Sequence, residues 1–136
     1  MDYYAISEEP LQASQALKGN GMYRMSVCMA MLAIDLLLKS VLYRINNASE
    51  LLIGHNHIAI LREIETRYPK PELRTIVKLS RKYFNDSRYS NRDNISTFSE
   101  KLAVDFIFYA QQVKDFVNND CLASIDDLQQ KFGKRS

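Results

Sequence analysis

The sequence predicts an all-α protein, an up-and-down bundle of four or five main helices with a short helix at its C-terminal end. Apolar residues return every three or four positions in each periodic segment, and alternation at period two never holds. No Asn-Gly hairpin turn lies between β-branched runs. The 136 residues suit one domain, 1–136, and a hydrophobic content of 46% supplies its core.

Each element has its own signal. Ser7 is placed to cap a first helix through Lys18, with Pro10 in its first turn and Gly19 and Gly21 ending it. A second helix over residues 22–45 is apolar almost all round, through Val27, Leu32, Ile34, Leu37, Leu38 and Val41, so it belongs at the centre. Residues 46–56 connect it to a third helix, N-capped by Asn56, whose expected buried stripe is Ile58, Leu61, Ile64 and Tyr68. Pro69 and Pro71 separate this from a fourth helix over 72–84. The polar stretch 85–96 carries no helical pattern. Thr97 and Glu100 form a capping box for a fifth helix reaching about Val117, with Ala103, Phe106, Ala110 and Val113 on its inner face. Ser124 and Asp127 cap the last short helix, which Gly133 ends.

Composition excludes several classes. A net charge of +2 is too small to argue for nucleic acid unless the basic residues cluster. Cys28 and Cys121 have no zinc spacing and are too few for a disulfide scaffold, which points to a reducing, cytoplasmic setting, with Cys28 read as a small buried hydrophobe. The first ten residues lack an apolar signal-peptide core. The greasiest run, 24–35, has about ten uncharged residues where a membrane span needs about 20. No membrane partner is expected.

Three constellations are candidates for chemistry. The first is Lys78, Arg81, Lys82, Tyr83, Arg88, Tyr89 and Arg92, five cations against Asp86 and Asp93. Arginine forks suit phosphate and tyrosines stack on bases. The same residues also suit a solvated helix end, with the cations complementing the helix dipole. The second is His55 and His57 at the start of the third helix. Two alternating imidazoles suggest metal ligands, but no nearby Cys, Asp or Glu completes a set at helical spacing, so no metal or cofactor is expected. A neutral imidazole beside helix N-terminal N–H groups suits a phosphate; a bond to another loop is the plainer reading. The third is Asp35 and Lys39, four apart on the central helix, where a charge needs a partner. Arg88 is the expected partner of Asp35. Phosphate loops, nucleophile elbows, His-Glu-x-x-His runs and dinucleotide fingerprints are absent.

In order and spacing, three stretches resemble the HEPN family, the nucleotide-binding-associated helical domain of higher eukaryotes and prokaryotes. They are Tyr23 to Lys39, with an acid and a lysine four apart; Gly54-His55-Asn56-His57-Ile58-Ala59-Ile60-Leu61; and Tyr83-Phe84-Asn85-Asp86-Ser87-Arg88-Tyr89-Ser90, where Ser90 replaces the usual proline. The resemblance spans roughly residues 10–118 and implies a helical bundle, often a homodimer, found in toxin–antitoxin pairs and beside nucleotidyltransferases. By position it implies Asp35, Lys39, His57, Tyr83, Arg88 and Tyr89 as the ligand-binding residues. Many members are metal-independent ribonucleases with an Arg followed by four to six residues and then a His; here neither His55 nor His57 has such an arginine. The leading expectation is therefore a non-catalytic module that binds a nucleotide, RNA or a nucleotidyltransferase or antitoxin partner. The alternatives are a divergent ribonuclease using His57 and Arg88, or a purely structural protein–protein bundle.

Overall fold

The computed structural model describes residues 2–88 and 98–122, less the side chains of Asn85, Asp86 and Arg88. It is an all-α bundle of five helices: α1 (Tyr3–Gly19), α2 (Tyr23–Ile45), α3 (His57–Glu65), α4 (Glu72–Arg88) and α5 (Glu100–Phe116). A 3₁₀ turn, Glu50–Leu52, precedes α3, and a π turn, Val117–Leu122, extends α5. No strand occurs among the described residues.

The all-round apolar helix is central. α2 packs against each of the other four helices, and Val27, Ile34, Leu37, Leu38, Val41 and Leu42 are fully buried. Its 23 residues are long and apolar enough to cross a membrane, yet 72% of the most apolar window is buried inside the bundle, as expected of a core helix. Small polar residues bring α1 against it. Ser14 Oγ donates to the Ser26 carbonyl and Ser26 Oγ to the Ser14 carbonyl, each at 2.7 Å, so two buried hydroxyls satisfy one another's backbones.

Several boundaries differ from expectation. Helix α1 starts four residues before Ser7, capped by Asp2, whose carboxylate accepts from the Ala5 N–H at 3.0 Å. Pro10 therefore sits inside the helix, where the Ile6 carbonyl loses its donor; Ile6 is exposed, so water can replace it. Ser7 is buried and donates instead to the Tyr4 carbonyl. Helix α4 continues to Arg88, four residues into the stretch expected to be irregular. The Ser87 carbonyl in its last turn accepts from the Arg24 guanidinium, so a cation from α2 meets the negative end of the α4 dipole. Ser99 caps α5, its hydroxyl accepting from the Leu102 N–H at 3.1 Å, in the role expected of Thr97. Thr97 and the expected helix over 124–133 lie outside the described residues. Cys28 is half-buried rather than a core residue, and Cys121 is the buried cysteine.

Candidate functional site

The third helix determines the site. Its buried face is His57, Ile60, Leu61 and Ile64, spaced i, i+3, i+4, i+7, with Ile58 and Tyr68 half-buried at the margin. The expected stripe omits His57 and Ile60. Asn56 is the N-cap as expected, accepting from the Ala59 N–H at 3.2 Å, and this fixes the first turn so that His57 faces α2.

There His57 meets Asp35. His57 Nε2 lies 2.7 Å from Asp35 Oδ1, and His55 Nδ1 lies 3.3 Å from the same oxygen. Lys39 Nζ is 2.9 Å from the other oxygen, Oδ2. Asp35, Lys39 and His57 are only 2%, 5% and 3% exposed, so each charge or polar atom must be met from within the protein. Burial acts to raise the Asp35 carboxyl; the hydrogen bond and charge of His57, then those of Lys39, outweigh it and hold the group below its ordinary value. One carboxylate thus joins two turns of α2 to the start of α3.

The reachable groups surround this cluster. A pocket of about 270 Å³ is lined by His55, Asn56, His57, Ile58, Arg81 and Phe84. The His55 side chain is 38% exposed and its ring lies 5.3 Å from that of Phe84. Phe84 also meets the His57 ring edge-on at 6.0 Å. Through Ile58 the pocket adjoins a second cavity of about 280 Å³, lined by Leu61, Arg62, Glu65, Arg74, Val77 and Lys78. Together they form a groove between α3 and α4. Among the described residues Glu65 is the single carboxylate lining it, and Arg74 engages that group with Nε 3.1 Å from both oxygens.

Of the residues expected to bind ligand, the fold therefore gathers Asp35, Lys39 and His57. Tyr83 stands elsewhere, half-buried against the core with its ring edge-on to Phe98 and Phe106 at 6.0 and 5.8 Å, and does not line the pocket. The Arg88 side chain and Tyr89 lie outside the described residues, and with them the expected pairing of Arg88 with Asp35; the described partners of Asp35 are Lys39, His55 and His57. No carboxylate stands at helical spacing from the two histidines along the chain; in space Asp35 comes beside them from another helix. In the sequence Arg81 is one member of a cation cluster; its place on the groove is readable only once α3 and α4 are paired.

The family model of the HEPN domain matches residues 1–120. The chain belongs to the HEPN domain family. Membership carries a general nucleotide- or RNA-related function, and the match covers the five helices and the first four of the six residues of the π turn. No curated protein and no solved structure matches the chain. In this HEPN domain the acid and lysine of α2 are buried in one cluster with His57, and the exposed imidazole is His55.

Proposed function

We propose that this HEPN domain is a binding module for a phosphate-bearing nucleotide or single-stranded RNA, held in the groove between α3 and α4. The supporting observation is the groove lining: Arg62, Lys78 and Arg81 supply positive charge, His55 and Asn56 supply polar edges, and Glu65 is already neutralised by Arg74. Arg81 and Lys78 are three positions apart on α4 and exposed, a spacing that puts both on one helix face. Phosphates would meet these cations, while Phe84 and Ile58 offer apolar surface to a base. Lys39 and His57 act from behind: both are buried, with Lys39 Nζ and His57 Nε2 engaged by Asp35.

Fluorescence anisotropy with a labelled single-stranded RNA tests this reading. Arg81→Ala and Lys78→Ala are each expected to weaken binding with melting temperature unchanged. Each should also flatten the slope of log affinity against log salt by about 0.7 for every phosphate no longer neutralised. Absence of binding at low salt, or variants that bind like the parent, would refute it. Family resemblance supports a setting beside a nucleotidyltransferase or antitoxin partner. Exposed Val104 and Phe108, four apart on α5, support a homodimer, to be checked by light scattering.

A second reading, ribonuclease action, has one observation in its favour. His55 stands at the pocket rim with the Asp35 carboxylate 3.3 Å behind its Nδ1, an arrangement that orients an imidazole for proton transfer. Intact RNA after incubation with excess protein in chelator would remove it.

A further inference from the structure

We propose that Asp35, His55 and His57 form a binding site for a transition-metal dication. Asp35 Oδ1, His55 Nδ1 and His57 Nε2 all lie within 4.8 Å of one another, brought together from α2 and the start of α3. The two nitrogens approach one oxygen at 2.7 and 3.3 Å. Ligands at about 2.1 Å from a metal stand about 3.0–3.4 Å apart in octahedral or tetrahedral geometry. The His55–Asp35 spacing already fits, and the His57–Asp35 spacing fits once His57 withdraws by a few tenths of an ångström. The two nitrogens, within 4.8 Å of each other, must stand about 3.0–3.4 Å apart when the ion is bound.

The donor set selects the class of ion. Two imidazoles and one carboxylate oxygen suit zinc, cobalt, nickel or copper, whereas magnesium and calcium take oxygen ligands. Lys39, bonded to Oδ2 at 2.9 Å, leaves Oδ1 as the ligating atom and fixes the carboxylate's orientation, the part that outer partners play at metal sites. Its positive charge also opposes a dication, which keeps the affinity moderate. Both histidines line the pocket, so an ion held by them would be reached from it. Water or an anionic ligand would take the coordination positions left by three protein ligands.

The inference is independent of RNA binding and is tested with metal alone. Chelator-stripped protein is titrated with Co²⁺, followed by visible d–d absorption, and then with Zn²⁺ in competition. One equivalent of cobalt is expected, displaced by Zn²⁺ and not by Mg²⁺, with at least a tenfold loss of affinity in His55→Ala. In the unsubstituted protein, NMR signals of His55, His57 and Asp35 are expected to broaden or shift first as Co²⁺ is added. This second measurement applies even if the variant fails to fold. No cobalt spectrum, no zinc displacement, or paramagnetic effects centred on other residues would overturn the site and leave the cluster as a hydrogen-bonded network only.

Discussion

Asp35 is a buried carboxylate whose three partners among the described residues come from α2, the connection before α3 and α3 itself, and its protonation is linked to folding. Its folded pKa lies below the ordinary 3.8, so its contribution to stability is present above that value and is lost as pH falls through the lowered one. In chelator-treated protein, urea melts of Asp35→Asn are expected to show a flatter acid limb below pH 3.8. At neutral pH the variant should lose about 3–5 kcal/mol, because Lys39 is left buried without its counter-charge. The cysteines give a second test at this scale. Burial, with a smaller contribution from Asp120, pushes the Cys121 thiol up to about 12, while Cys28 is half-buried. A maleimide at pH 8 is expected to label Cys28 first and Cys121 only on unfolding; equal rates would contradict the burial. The i,i+4 relation of Asp35 and Lys39 was legible in the sequence. The part of His57 was not, because a partner 22 residues away exists only once α3 packs on α2.

At the scale of elements, caps and stripes decide the register. Asn56 and Ser99 each satisfy an otherwise orphaned helix N–H, and Asn56→Ala or Ser99→Ala is expected to cost about 1 kcal/mol in thermal melts. Asn56→Ala should also lower RNA affinity, since the cap orients the first turn carrying His57; a variant with full stability and affinity would contradict this. Asn56 was readable from sequence because a side-chain acceptor before an apolar run is a local signal. The buried face of α3 was not, since Ile58, Ile60, Leu61 and Ile64 fit two overlapping stripes and only packing against α2 chooses between them. The ends of α1 and α4 depart from expectation for a related reason. Asp2 caps from farther out than Ser7, and Arg24 supports a polar last turn from 63 residues away.

For the whole molecule, α2 is the common wall of the bundle, and its uniform hydrophobicity made that role legible before any geometry. Leu38→Ala, fully buried at its centre, is expected to cost about 2–5 kcal/mol and lower the melting temperature without abolishing RNA binding below the transition. The groove was the least legible feature, because its lining is divided between α3 and α4 and its cations look like an ordinary solvated helix face. What joins the core to the groove is the carboxylate of Asp35. By holding His57 it seats α3, and the reachable polar edge is left to His55 and Arg81. A double-mutant cycle on global unfolding, with Asp35→Asn, His57→Gln and the pair, measures that link directly. A coupling of about 1.5–3 kcal/mol is expected for a buried hydrogen bond to a charged group. Additive losses, with coupling within about 0.3 kcal/mol of zero, would contradict it.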